Sequence, residues 1–368
     1  MPRVLPLLLT AAGVAAAAQL TRAAWGLPAA LGASRRRIAP VARTSRAFDG
    51  TAFRNRMPSE VVGLSSLPAM LRQARAHRGQ GKPARPIPVG SGVVPVEAGD
   101  LAVTWFGHAS ALIEIDGARI LADPVWGDRV SPSAVVGPHR MHPVPPGVAA
   151  LPTVDAVLLS HDHYDHLDLP TVRTLLHTQQ APFVVPAGIG AHLRGWGVPE
   201  DRIVELDWDG EVEIAGITLT CVEARHFSGR GLSRNTTLWS SWALRGPRHT
   251  VFFGGDTGYH PGFAEIGARF GGFDVTLMPV GAYGPQWPDI HLDPEEAWRA
   301  HGDLGGRTFV PIHWGTFDLA FHTWSEPIER LLTAAGEDRR STIVVPRPGE
   351  RFDVLAPADP GPWWREIA

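Results

Sequence analysis

From Leu101 onward, short apolar runs alternate with clusters of Gly, Pro and Asp: LAVTWFG, SALIEID, RILADP, VDAVLLS, FVVPA, ITLTCVEA, TVFFGGD, DVTLMPV, TFVPIHW and TIVVPRP. These runs have strand length and mostly lack strict polar alternation. That pattern predicts strands covered on an inner face and partly on the other. Helical patterns lie between several of them. LPTVRTLLHT follows Asp168, an N-cap with Pro170 in the first turn; DPEEAWRAHG combines Asp293, Pro294 and Glu296 as a capping-box start and ends at Gly302. Hairpin-joined strands followed by strands alternating with helices predict an α/β layered fold. No short-period repeat or heptad run interrupts it.

The chain upstream differs in texture. From Pro40 to about Gly99 it is rich in Arg, Pro and Gly, with one short helix expected around Ser66 to Ala76. Proline fixes φ and lacks an N–H, so this segment is expected to wrap the surface in extended form and build no sheet. Val4 to Leu20 carries no charge, which suits a signal-peptide core or a short membrane helix. Small residues at Ala15 to Ala18 favour cleavage, whereas Arg22 and Arg35 to Arg37 would hold a retained segment's flank in the cytoplasm. The expected division is a hydrophobic leader over 1–39, a Pro/Arg-rich extension over 40–99, and a catalytic domain with a C-terminal tail over 100–368. The expected location is membrane-associated or exported through the leader, with the face left open.

Composition narrows the chemistry. The 368 residues are 44% hydrophobic and 19% charged with a net charge of −3, which gives no field suited to a nucleic acid backbone. Cys221 is the only cysteine, so an intrachain disulfide and a thiolate zinc cage are both excluded. Any metal must be held by nitrogen and oxygen, and the chain has 16 His to do it.

The stretch LLSHDHYDHLDLP, Leu158 to Pro170, crowds His161, Asp162, His163, Asp165, His166 and Asp168 behind an apolar run. Such a cluster needs a compensating cation. In an extended turn after Ser160, His161 and His163 can point the same way, and Asp165 and His166 can face a second point close by. His226, Asp256 and His313 each follow a strand-like run, and ligands in α/β sheets collect outside the carboxyl ends of strands. Taken alone, His226 or His313 reads as a hydrogen-bonded histidine; the HxHxDH string changes that weighting. Imidazole-rich ligation suits zinc first, with iron or manganese as alternatives. Asp162 and Asp168 read as turn and cap residues, and Tyr164 as packing.

SHDHYDH followed by His226, Asp256 and His313 resembles the metallo-β-lactamase superfamily. VGPHRMHPVP, SHDHYDHLD, IVELDW, FSGRGL, LWSSWALRGP, FFGGDTGY, IGARFGGFD, VGAYGPQW, DPEEAW and IHWGTFDLA resemble, more narrowly, the branch containing N-acyl-phosphatidylethanolamine-hydrolysing phospholipase D and its bacterial relatives. The likeness runs from about Phe48 to Leu332. It implies a four-layer αββα sandwich of the metallo-β-lactamase type with two Zn²⁺. His161, His163 and His226 would hold the first ion, Asp165, His166 and His313 the second, and Asp256 would bridge them. It also implies roles for Asp123 in the LADP turn and for His291 before the DPEE helix. The sequence departs from the phospholipase at Ile290, where that enzyme has a glutamine, and in its hydrophobic leader.

The expected reaction is phosphodiester hydrolysis, releasing N-acylethanolamine and phosphatidic acid from a phospholipid. Asp256, Asp123 and His291 are the catalytic candidates: Asp123 would fix a ligand's tautomer, and His291 would orient the phosphate or assist departure. A membrane surface is an expected partner, a homodimer is allowed, and nucleic acid is not expected. Trp239, Trp242, Trp287, Trp314 and Phe317 flank the motifs as either an apolar groove or core. Two other readings stay open: a metal-dependent lactone or acyl-ester hydrolase, and a non-catalytic metal-binding envelope protein.

Overall fold

The computed structural model describes residues 21, 24, 26–60, 66–231, 233–358 and 360–368. The helices among them are α1 (Leu27–Ala30), α2 (Arg35–Ala42), α3 (Leu67–His77), α4 (Leu169–Thr178), α5 (Gly190–Gly195), α6 (Gly262–Phe270), α7 (Pro294–Asp303) and α8 (Glu326–Ala335). The strands are β1 (Leu101–Gly107), β2 (Ser110–Ile115), β3 (Ala118–Ala122), β4 (Ala156–Leu158), β5 (Phe183–Pro186), β6 (Ile203–Leu206), β7 (Glu211–Ile214), β8 (Ile217–Val222), β9 (Ser241–Arg245), β10 (Thr250–Phe253), β11 (Phe273–Pro279), β12 (Gly306–Ile312) and β13 (Glu350–Asp353).

They form two mixed sheets, ordered β13-β1-β2-β3-β4-β5-β6 and β12-β11-β10-β9-β8-β7. Alternation along the strands explains the layering. Val103 and Trp105 of β1, Ile113 of β2 and Leu158 of β4 face the second sheet and pack with Leu219, Leu244, Val251 and Phe253. Their neighbours Phe106, Leu112 and Val157 face the other way, onto Val172 and Leu175 of α4 and Leu193 of α5. Phe263 of α6, Ala300 of α7 and Leu331 of α8 join the core of the second sheet. Helices therefore flank paired sheets in the expected αββα order.

Strand direction gathers the site. β1 and β3 both run antiparallel to β2, and β4 runs parallel to β3, so β1, β3 and β4 end at one edge. In the second sheet β8 and β10 both run antiparallel to β9, and β11 and β12 run parallel to β10. The residues just beyond these carboxyl ends are His108, Asp123, His161, His226, Asp256 and His313.

The helix expectations hold: α4 is capped by Asp168, which accepts from Thr171 N, and α7 carries the Asp293–Glu296 capping box. TIVVPRP is not a strand; Pro346 and Pro348 remove ladder donors there, and β13 lies just after it. β6, β7 and β9 escaped the apolar-run reading. β7 alternates exposed and half-buried positions at the sheet edge, which is a weak hydrophobic signal.

The expected location requires correction. No helix among the described residues is long and apolar enough to cross a membrane. The longest, α3, has 11 residues and so rises about 16 Å, against a hydrocarbon core of roughly 30 Å. The segment Val4 to Leu20, on which anchoring or export rested, lies outside the described residues. Residues closer to the body pack on it: Ile38 and Ala42 of α2 are buried, and Trp196 Nε1 donates to Ala29 O.

Candidate metal centre

The loop after β4 is held open by hydrogen bonds, and its shape does not depend on regular structure. Buried Arg230 donates from one terminal nitrogen to Asp162 O and Leu167 O, both at 2.7 Å, while its guanidinium lies 4.1 Å over the Tyr164 ring. Tyr164 OH donates back to Arg230 O. Asp162 turns away from the cluster to accept from Gly229 N at 2.7 Å. These contacts leave His161, His163, Asp165 and His166 facing the sheet edge. Asp162, Tyr164 and Asp168 thus serve the loop and the helix cap.

All seven expected ligand residues converge. Among the described residues, ligand atoms of His161, His163, His226 and Asp256 lie within 4.8 Å of one another, as do those of His108, Asp165, His166 and His313, and those of Asp256, His291 and His313. Asp256 Oδ2 lies 3.7 Å from both His161 Nε2 and His226 Nε2 and 3.2 Å from His166 Nε2; its Oδ1 lies 3.0 Å from His313 Nε2. Asp256 therefore stands between the two groups. Most of the cluster is buried, with His163 and Asp165 the more open members.

Hydrogen bonds outside the cluster fix several ring tautomers. His226 Nδ1 donates to Ile290 O at 2.8 Å, and His161 Nδ1 donates to Ser160 Oγ at 2.9 Å. His166 Nδ1 donates to Asp123 Oδ2 at 2.7 Å, and Asp123 also accepts from Ser160 N and Ser160 Oγ. When neutral, each of these rings turns an Nε2 lone pair inward, the arrangement that metal-binding histidines require. Asp123 (φ 39°), His108 (φ 52°) and His313 (φ 62°) all hold left-handed backbone, strain of the kind that collects at functional sites.

The electrostatics point the same way. Burial drives His161 and His226 well below the ordinary imidazole range. At His166 burial acts downward too, but Asp256, Asp165 and Asp123 outweigh it and raise the ring well above that range. His313 is raised to about 9 against its burial by Asp256 and Asp165. Both carboxylates are held well below their usual range, burial being overcome mainly by His166. Without a cation, the acidic groups favour protons on His166 and His313. His166 Nε2, Asp256 Oδ1 and both His313 nitrogens are buried and make no hydrogen bond within the chain. Orphaned lone pairs beside two carboxylates fit a cation, and imidazole with carboxylate fits a transition ion.

His291 lies two residues before the α7 cap. Burial lowers its ring to about 4, its Nδ1 is unpaired, and it lines a cavity of about 410 Å³ with Tyr283, Pro288, Phe321 and Arg330. Trp239, Trp242 and Trp314 are buried in the main core, and Trp287 packs with Ile290 and Ala320. The three core tryptophans build no open groove. A second cavity, of about 550 Å³, is lined by Arg46, Arg54, Arg56 and Asp207 and includes none of the clustered residues.

Two residues of the site escaped the sequence. His108 too directly follows a strand-like run, LAVTWFG, but no metal-ligand motif accompanies it. Asn55 comes from the Pro/Arg-rich segment: its Nδ2 donates to His226 O at 2.8 Å, and its Oδ1 accepts from His226 N at 3.1 Å. Nothing in the local sequence marks that long-range clamp.

Residues 118–314 match the beta-lactamase superfamily domain. The chain belongs to the metallo-β-lactamase superfamily. It is a metal-dependent hydrolase of that superfamily with clusters of His and Asp that can bind metal. An uncharacterized protein of Mycobacterium tuberculosis is 54% identical, covering 99% of each chain. N-acyl-phosphatidylethanolamine-hydrolyzing phospholipase D 1 of Caenorhabditis elegans is 37% identical over 67% of this chain and 73% of its own. Among solved structures, the metallo hydrolase Igni18 of Ignicoccus hospitalis shares the fold, with a TM-score of 0.52 at 21% identity, over 68% of this chain and 97% of that one.

Proposed function

We propose that this superfamily member hydrolyses phosphodiester bonds with two Zn²⁺, acting as a phospholipase D on N-acyl-phosphatidylethanolamine or a related phospholipid. The observation that carries this reading is the placement of Asp256 between two His/Asp groups, with His291 beside both Asp256 and the 410 Å³ cavity. The nematode phospholipase, at 37% identity, supports the substrate class.

In this reading His161, His163 and His226 would hold one ion and Asp165, His166 and His313 the other, with Asp256 as a ligand placed between the two groups. Bound there, the ions would supply Lewis acidity toward phosphoryl oxygens and lower the pKa of water. Asp123 keeps the His166 tautomer that leaves Nε2 free. Asp256 fixes the spacing of the two groups. His291, neutral under its burial, orients the phosphodiester by donating an N–H hydrogen bond from the cavity side.

The test is product analysis on mixed phospholipids with zinc-loaded protein. Release of N-acylethanolamine with phosphatidic acid supports the proposal. Hydrolysis of lactones or acyl esters without any phosphodiester turnover overturns it.

A further inference from the structure

We infer that His108 is a positioning residue, holding the Asp165 carboxylate in the orientation that a cation needs; this rests on the two-ion reading above. His108 Nε2 lies 2.9 Å from Asp165 Oδ2, and because a carboxylate can only accept, the ring nitrogen donates. That bond commits Nε2, which is thereby unavailable as a ligand. The remaining carboxylate lone pairs stay available.

The mount of His108 is unusually fixed for a residue between two strands. Its N–H donates to Thr316 Oγ1 at 2.7 Å, and its carbonyl accepts from Trp105 Nε1 at 2.8 Å and from His313 N at 2.9 Å. The ring is 1% exposed, packs on His313 with centroids 4.0 Å apart, and meets the Phe317 ring edge-on at 5.3 Å. The left-handed backbone at φ 52° is thus held by three bonds to the His108 main chain that substituting the His108 side chain does not remove.

Asp165 needs such a brace. It sits in the loop between β4 and α4, its side chain is 16% exposed, and its Oδ2 also faces His313 Nε2 at 3.4 Å and His166 Nε2 at 3.7 Å. A carboxylate free to rotate on a loop loses affinity to entropy and to wrong geometry. Partners that orient a ligand are commonly worth about 10–100-fold in metal affinity.

The experiment compares wild type, His108→Phe and His108→Gln by competition with a chromogenic chelator, counting bound zinc and fitting each affinity. Phe keeps the ring's packing and removes the donor; Gln returns an N–H near Nε2. The expected result is two ions in wild type, about a 10–100-fold weaker second ion in His108→Phe, an unchanged first ion, and recovery to within a few-fold in His108→Gln. His108→Leu substitutes if His108→Phe does not fold. At saturating Co²⁺ the ligand-field spectra of wild type and variant should coincide; a changed coordination number makes His108 a ligand and overturns the inference. A wild type with two ions matched by His108→Phe overturns the inference alone. A wild type that takes up fewer than two ions overturns the two-ion reading with it.

Discussion

Asp123 Oδ2 accepts from His166 Nδ1 at 2.7 Å, and neither side chain has any exposure to solvent. Three donors meet this carboxylate: Ser160 N–H, Ser160 Oγ–H and the His166 ring. Asp123→Asn places an amide N–H among them, and His166 then keeps its inward lone pair only at the cost of opposed donors. The expected outcome is about a 10–100-fold loss of cation affinity and a parallel loss of turnover, with an unchanged far-UV circular dichroism spectrum. Metal titration by calorimetry checks it, and an affinity within twofold of wild type would count against the tautomer role.

Asp256→Ala removes the carboxylate that lies between 3.0 and 3.7 Å from His161, His166, His226 and His313. With it go the charge and the geometric link between the two groups. Bound metal should fall from two ions to one or none, and activity by at least about 100-fold, more than the loss of an orienting partner. Elemental analysis after exhaustive dialysis is the measurement. Two retained equivalents would remove Asp256 from the centre.

Much of this centre was legible because its residues follow apolar runs. His161, His226, Asp256 and His313 each come within four residues of the end of a strand whose hydrophobicity announces it, and Asp165 and His166 are carried by the same motif as His161. His108 has the same placement but no neighbouring ligand, and its partner Asp165 is 57 residues away. A His directly behind LAVTWFG was the available signal. β7 and β13 were not legible for a different reason: they are edge strands with charged or half-exposed positions, paired on one side. Their existence depends on a neighbour's free hydrogen bonds, which local hydrophobicity does not record.

Asn55→Ala tests whether the N-terminal segment supports the centre. Asn55 satisfies both the N–H and the C=O of His226, a residue with 0% exposure, and receives Trp239 Nε1 at 2.8 Å. Alanine removes the side-chain partner of both main-chain groups of a buried residue; Trp239 Nε1 keeps its bond to Ala224 O. Stability should fall by about 2–3 kcal/mol, read from urea unfolding of metal-free protein. A loss below about 0.5 kcal/mol, the range of ordinary surface substitutions, would show that the clamp is dispensable.

Acid should unfold the metal-free chain through histidines outside the centre. Burial lowers His142, His260 and His301 to about 4, against 6.5 when unfolded. At His260 the guanidinium groups of Arg225 and Arg56 add to the effect, and neither ring nitrogen is hydrogen-bonded within the chain. A lowered histidine pKa means that the unfolded chain binds the extra proton. The stabilisation is therefore complete above about pH 6.5 and is lost progressively as pH falls toward about 4. Each group contributes on the order of 1–3 kcal/mol over that window. His260→Leu keeps a side chain against Phe263, whose ring lies 4.2 Å from that of His260, and removes one titrating group. Urea unfolding at pH 7.5, 6, 5 and 4.5 should show a shallower decline for the variant than for wild type. Parallel curves would mean that His260 is protonated alike in both states and contributes nothing to the acid transition.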